Sequence, residues 1–444
     1  MALTKATYSL IDSTNVNVLD FVPAAEKALI EAGTPSTDVS SYIQAAHDSL
    51  SVLGGNYQGT LYFPAGKYRV DSGLVLSPTV NVQGYGAILD FSNAGSSIIA
   101  VTSKSVSNPD IAALTNGGIN GLQLYGPGRA NTNTVGLFLG GVSSGDITHE
   151  KTFRDLVISE FGKGIEQDSN AYNCKFFGGF VYRNDINFKA GDIGDTNFAE
   201  IIELHGVTLA ESVTASLYSR SNAMDIAVFG GSIDYDSAVA VDVAGDTVVS
   251  LYGTHIEAAV DKVSIDNPSA SGNPTVNCFG CTFTRPTGSS TQPIVNADQI
   301  HFSTSGGWIR IGSGTQTTFV KSTGIYMLSV EQMSGVGTIT NIANITGGTG
   351  FKKVYTESSA SFNKPLNFTG GIGTQEVVSN YYGLLFSGLG TNMGVYVRTA
   401  AGTPPGSEAG IEQGSLLLNQ ADKKLYINTG TSSSTVWTVV GTQT

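Results

Sequence analysis

The chain has 444 residues, of which only 13% are charged, with 55 glycines and a formal charge of −13. That acidity excludes nucleic acid or an anionic membrane as a partner, because phosphate recognition needs a basic face, and no apolar run reaches the roughly 18 residues of a membrane span. Three cysteines exclude a disulfide framework; low charge with abundant glycine favours one long β structure with turns throughout.

Residues 1–20 read as extended, without the basic, apolar and small-residue order of a signal peptide. A short helix at 24–31 follows. A second, amphipathic helix at 38–50 places Val39, Tyr42, Ile43, Ala46 and Leu50 at helical spacing, with Thr37 or Asp38 as its N-cap. At the head of a solenoid such a helix covers the apolar end of the first coil. Thr60 to Val70 then reads strand, Pro-x-Gly turn, strand, and Val80 to Gly84 closes the coil.

Here the chain resembles the opening of pectate-lyase-like β-helix proteins, in particular bacteriophage tailspikes. The resemblance rests on VNVLDF (16–21), a helix ending IQAAHDSL (43–50), GTLYFPAGKYRV (59–70) and VNVQGYGAIL (80–89). The acidic Asp-Asp-Thr run common before the helix in that family is Ser36-Thr37-Asp38-Val39 here.

Strands are expected at 121–125 and 135–139, and regular coils restart at Phe153. Residues 173–286 contain an irregular repeat that aligns on Gly178, Gly206, Gly230, Gly253 and Gly280. Four residues earlier stand Cys174, Ile202, Ile226, Val249 and Val276; two earlier stand Phe176, Leu204, Val228, Leu251 and Cys278. The positions between are mostly polar, so each approach is a strand of period two. Three residues after the glycine, Val181, Leu209, Ile233, Ile256 and Phe283 restore the apolar column. Just before it, Phe177, His205, Phe229, Tyr252 and Phe279 predict an aromatic stack at a corner. With no helix between strands, the pattern predicts an all-β, right-handed parallel β-helix whose coils stack about 4.8 Å apart. Cys278 and Cys281 form a lone C-x-x-C and read as small core residues rather than a metal or redox site.

After 286, strand signals continue at 308–311, 326–330 and 339–345. Beyond about 371 the segment GTPPG…GSLLLN…KLYINTG…W resembles the C-terminal part of phage tail fibres and spikes, which in that family closes a trimer. The expected organisation is an N-terminal extended and helical cap (1–59), a β-helix (60–370) and a C-terminal β domain (371–444). The resemblance implies a homotrimer in the virion tail that acts on bacterial surface polysaccharide outside the cell, with other tail or baseplate proteins as further partners and no cofactor.

The chemistry is expected beside the repeat. Four residues after the glycine the column reads Tyr182, Ala210, Asp234, Glu257, Thr284; the next reads Arg183, Glu211, Tyr235, Ala258, Arg285, and Asp236 follows. Stacked carboxylates repel and raise one another's pKa, a cost that a site repays. Asp234, Asp236, Glu257 and Glu211 are therefore the candidate catalytic groups for endo-acting glycoside cleavage, and the resemblance to polysaccharide-cleaving tailspikes implies the same four. Tyr182, Arg183, Tyr235, His255 and Glu203 are the candidate substrate-binding residues. Neighbours one coil apart suit a retaining mechanism and two apart an inverting one. Glu160, Glu166 and Asp168 form a second acidic group, and Tyr125, Tyr172 and Tyr218 could stack on sugars. A calcium site at Asp234, Asp236 and Glu257, with Arg183 or Arg220 as the base of a lyase, is a weaker alternative to the metal-free reading. The competing readings are a non-catalytic glycan adhesin, a structural tail component, or outward acids that only keep strand edges soluble or pair across a subunit seam.

Overall fold

The computed structural model describes residues 15–346, except 54–55, 105–116, 142–146, 193–200, 222–223, 237–238, 260, 268–270, 286–288, 299, 323–327 and 332–333. Beyond 346 it describes short segments, among them 395–398, 413–419, 423–431 and 436–440. Within these residues the chain is a parallel β-helix. Each coil has three strands, as in Ile201–His205, Thr208–Ala210 and Ala215–Ser219, followed by Asp225–Phe229, Ser232–Asp236 and Val239–Val243 one rung above. The first strands of successive coils build a 13-stranded sheet, and the second and third strands build the other two faces.

The apolar columns face inward as the alternation requires. Phe176, Leu204, Val228, Leu251 and Cys278 are register partners rung by rung and all are buried. Val181, Leu209, Ile233, Ile256 and Phe283 do the same on the second sheet. Between the two sheets the chain turns on Gly178, Gly206, Gly230, Gly253 and Gly280, with φ between 61° and 64°. At Gly206, Gly230 and Gly253 an added Cβ would meet no atom within 4 Å, so the left-handed backbone, not space, selects glycine. Gly306 extends this column upward (φ 67°), and Asp155, left-handed at φ 50°, takes the equivalent place below Gly178. Aspartate tolerates that conformation better than most side chains.

The residues before the turns form the expected stack. Phe177, His205, Phe229, Tyr252 and Phe279 lie with ring centroids 4.6, 4.7, 4.9 and 5.1 Å apart and planes within 15°, and Arg154 closes its lower end 4.3 Å from the Phe177 ring. Where the second sheet turns into the third, Asn184 and Asn187 are buried and fully occupied: Asn184 accepts from Phe161 N at 2.9 Å, and Asn187 donates to Ala210 O and Ser216 Oγ, each at 2.9 Å. Such satisfied polar groups fix the corner without the cost of an orphaned amide.

Helices α1 (Ala24–Glu31) and α2 (Ser40–Asp48) stand at the lower end. Val39 occupies the N-cap of α2, while Asp38 accepts from Ser40 N and Asp71 N, each at 2.9 Å. Val39, Ile43 and Ala46 are buried, but Tyr42 is exposed, so the apolar stripe is narrower than its spacing suggested. The cap also completes a strand edge. The Gln44 amide donates to Val75 O and accepts from Val75 N, both at 3.0 Å, and His47 Nε2 accepts from Ser77 N at 2.9 Å. The edge strand Leu74–Leu76 thus receives from side chains the bonds that a lower coil would supply. His47 Nδ1 lies 2.9 Å from Asp48 Oδ1, which assigns the ring proton to Nδ1, and burial holds the His47 pKa below its ordinary 6.5.

Val18–Asp20, read as extended, is a 3-10 turn capped by the Asn17 side chain, and residues 1–14 lie outside those described. Near the C-terminus Val395–Arg398 pairs in parallel with Leu416–Asn419, which continues antiparallel to Lys424–Asn428 and Trp437–Val439. Leu417 and Tyr426, register partners there, are buried.

Candidate functional site on the second sheet

The outer face of the second sheet presents two side-chain columns. One runs Phe180, Thr208, Ser232, His255, Thr282, Trp308, and the other Tyr182, Ala210, Asp234, Glu257, Thr284, Arg310. Asp234 and Glu257 are therefore direct neighbours on adjacent rungs, as the spacing predicted. His255 lies between their carboxylates, with Nδ1 3.2 Å from Asp234 Oδ1 and Nε2 3.9 Å from Glu257 Oε2. Its Nε2 also lies 2.9 Å from Thr284 Oγ1. Asp234 Oδ1 is buried and, despite that short approach, has no aligned hydrogen bond. The side chains of Asp234 and Glu257 are 16% and 12% exposed and that of His255 is 36%. Among the described residues neither acid is paired with a lysine or arginine. The three groups form a partly open acid–imidazole–acid cluster whose proton-accepting oxygens are not locked by a cation.

The remaining predicted residues are placed as follows. The pairing slips between Asp234 and Asp236, so that Asp236, not Tyr235, is the register partner of Ala258. The side chains of Tyr235 and Asp236 lie outside those described. Arg183 and Glu211 are left-handed corner residues (φ 55° and 54°) and do not continue the strand column. Arg183 Nε is 3.1 Å from Glu160 Oε1, and the carbonyl of Glu211 accepts from Arg129 Nη1 at 3.2 Å. Arg285, read in the same outward column, is buried and donates to Ala259 O and Pro293 O, each at 3.1 Å; burial lowers its pKa to about 10. Tyr182 belongs to the face and stacks on Phe180 at 4.3 Å. Glu203 stands on the first sheet, not beside the cluster. There it bonds His205 at 2.7 Å and Lys175 at 3.1 Å, and the His205 bond above all holds its carboxyl below the usual range.

The second acidic group is divided among three environments. Glu160 meets Arg183, Glu166 meets Lys163 at 3.0 Å and Lys189 at 2.9 Å, and Asp168 accepts from Ser169 N. Of the tyrosines, Tyr125 is exposed on the second sheet, Tyr172 donates to Asn170, and Tyr218 lies beside Arg220. Cys278 and Cys281 are buried as expected of core residues. Among the described residues no group of three or more His, Cys, Asp or Glu is arranged to hold a metal ion.

The sequence reading missed a second stacked pair. Asp242 and Asp266 are register partners on the third sheet. Burial raises both carboxyl pKa values above the ordinary 3.8. Asp242 is 3% exposed, and Arg220 takes both its oxygens, at 2.9 and 2.7 Å. Asn296 donates to Asp266 at 2.8 Å. Raised carboxyls are a signature of catalytic acids, but Asp242 is already held through both oxygens by an arginine and is almost wholly covered, which leaves no path for substrate. The same ion pair removes Arg220 as the base of a lyase. The signal was present in the sequence as a further outward column, Lys189, Tyr218, Asp242, Asp266.

No family model and no curated protein matches this chain. Solved structures do. The chain is similar to the gp42 tailspike of Acinetobacter phage vb_AbaP_AS12, with 11% identity over 97% of this chain and 82% of that one and a TM-score of 0.50. It is similar to the enzymatically active domain of bacteriophage CBA120 tailspike protein 4, with 14% identity over 90% and 53% of the two chains and the same TM-score of 0.50. The catalytic unit of the GH87 alpha-1,3-glucanase of Streptomyces thermodiastaticus strain HF3-3 also aligns, at 13% identity over 80% and 68%, with a TM-score of 0.50. The chain therefore has the right-handed parallel β-helix architecture that those tailspikes share.

Proposed function

We propose that the protein is a phage tailspike that binds bacterial surface polysaccharide and cleaves it within the chain at Asp234 and Glu257. The observation that supports this most directly is the pair itself: two adjacent carboxylates on a β-helix face, with an imidazole beside them and, among the described residues, no arginine or lysine lock. Rungs about 4.8 Å apart approach the carboxyl separation of about 5–5.5 Å used in retaining glycoside hydrolysis. In this reading Asp234, the acid nearer the imidazole, attacks the anomeric carbon as Glu257 gives a proton to the departing glycosidic oxygen; water, losing a proton to Glu257, then displaces Asp234 from the glycosyl intermediate. The tailspikes and the glucanase among the structural neighbours support glycan as the substrate class.

A lyase is the second reading, supported by His255. Its Nδ1 faces a carboxylate and its Nε2 meets a hydroxyl, an arrangement suited to removing a proton next to a uronic acid carboxyl. In the hydrolytic reading the same ring tunes the pair. We further propose that residues 371–444 close a homotrimer, which light scattering of the native protein would report as three times the chain mass.

The test is incubation with surface polysaccharides from a panel of bacterial strains, following product size and the ultraviolet absorbance of unsaturated sugars together. Shortening without absorbance is expected. Shortening with absorbance replaces hydrolysis by elimination, and binding without shortening overturns cleavage in favour of an adhesin.

A further inference from the structure

The acid pair sits at the middle of a bounded floor. From Tyr182 the second column passes Ala210, Asp234, Glu257 and Thr284 to Arg310, five rungs or about 24 Å at about 4.8 Å per rung. Apart from Asp234, Glu257 and His255, the residues of the two columns between the ends are Thr208, Ser232, Thr282 and Thr284, with Ala210 buried among them, all small. At each end the small residues stop at aromatic ones. Phe180 and Tyr182 form a stacked pair on the lower rung, centroids 4.3 Å apart with planes within 8°, which leaves the second face of the half-buried Tyr182 ring for a sugar. On the upper rung Trp308 is 47% exposed. The acids occupy the second and third rungs above Tyr182, which leaves one rung, that of Thr208 and Ala210, below Asp234 and one, that of Thr282 and Thr284, between Glu257 and Trp308.

We propose that this floor is the binding trough for a glycan laid along the helix axis, several sugar rings long, with rings resting on Tyr182 at one end and Trp308 at the other. The inference rests on the functional reading above and adds to it the direction of the chain, its span and the two residues that set that span. Small hydroxylated side chains let a flat polymer approach the backbone, and the polar atoms of Thr and Ser offer both donors and acceptors to sugar hydroxyls. An exposed aromatic face suits the apolar C–H face of a pyranose while its rim stays wet. The aromatic ladder of the first sheet is built differently. Phe229 and Tyr252 are stacked on neighbours at both faces, at 4.7 to 5.1 Å, so only their edges meet solvent and no ring face is open to a sugar.

Partial acid hydrolysis of a polysaccharide that the protein binds gives size-graded oligosaccharides, and titration of these into Glu257→Gln by calorimetry separates binding from cleavage. Affinity is expected to rise with length until the oligosaccharide spans the trough and then to level off. Trp308→Ala and Tyr182→Ala, each in the Glu257→Gln background, should bind the long oligosaccharides roughly tenfold more weakly, and the plateau should begin at a shorter length. Trp308→Tyr should restore most of the affinity, and Tyr252→Ala should leave it unchanged. If long oligosaccharides bind but neither alanine variant changes affinity or plateau, the trough is overturned while cleavage at the acids stands. If no polysaccharide binds at all, both readings fall.

Discussion

Two pairs of carboxylates stand one rung apart on neighbouring faces of the same solenoid, and their surroundings separate them. On the third sheet Asp242 is buried and gripped through both oxygens by Arg220, and Asp266 beside it is half-buried and bonded to Asn296. Asp234 and Glu257 on the second sheet face outward, with only an imidazole between them. Stacking alone therefore does not define a site. A repeat protein places any outward residue above its equivalent, and what decides the use of two acids is whether a cation already holds them. In the first pair the arginine lowers the cost of burial; in the second no lysine or arginine among the described residues holds either acid, and both stay open to a substrate.

The comparison can be broken by substitution. Glu257→Gln, and separately Asp234→Asn, should reduce polysaccharide cleavage by about 10²- to 10⁴-fold, the usual contribution of a positioned acid or base, without moving the urea unfolding midpoint. Asp242→Ala should do the reverse. Removing one partner of a buried pair strands the other, so a loss of about 3 kcal/mol is expected in denaturant unfolding, with cleavage retained wherever the protein remains folded. Gly230→Ala should cost about 1–2 kcal/mol from left-handed backbone strain alone, since its Cβ would have free space.

The pH dependence sharpens the contrast further. Asp266 has a folded pKa above its ordinary value, so its ionisation opposes folding: the penalty is absent below about pH 3.8 and complete above the raised folded pKa. Asp266→Asn should thus become less unfavourable, relative to the native protein, as pH rises through that window. Glu203 is the opposite case. Its folded pKa is depressed, so it contributes stability above its ordinary 4.5 that is lost as pH falls through the folded pKa. Glu203→Gln should accordingly lose more stability at neutral pH than in acid. Chemical denaturation of each variant against the native protein across the acid range measures these slopes, and parallel slopes for the two variants would contradict the assignment.

Much of this was legible in the sequence because a parallel β-helix writes its cross-section into every repeat. The glycine register predicted the buried columns, the aromatic stack and the contact of Asp234 with Glu257. It stopped where the chemistry of the repeat changed. Asp155 occupies a turn that holds glycine in the coils above, so its coil falls outside the glycine register. The bulge between Asp234 and Asp236 shifted the ladder in a way no spacing could show. Asp242 and Asp266 escaped because the corner between the second and third strands varies, from 183–185 in one coil to 259–264 in another, and counting from the glycine loses phase across it. Arg285 shows the limit of reading a column by residue type: two residues after the inward Phe283, it stands on the inward phase of its strand, and its long side chain is buried as a latch between two loops.

The most direct test of the account is a crystal structure of Glu257→Gln soaked with an oligosaccharide of its own polysaccharide. The account predicts sugar density along the second sheet between Tyr182 and Trp308, with a glycosidic bond over Asp234 and position 257. Density over Asp242 and Asp266 on the third sheet, with the second sheet empty, would contradict it.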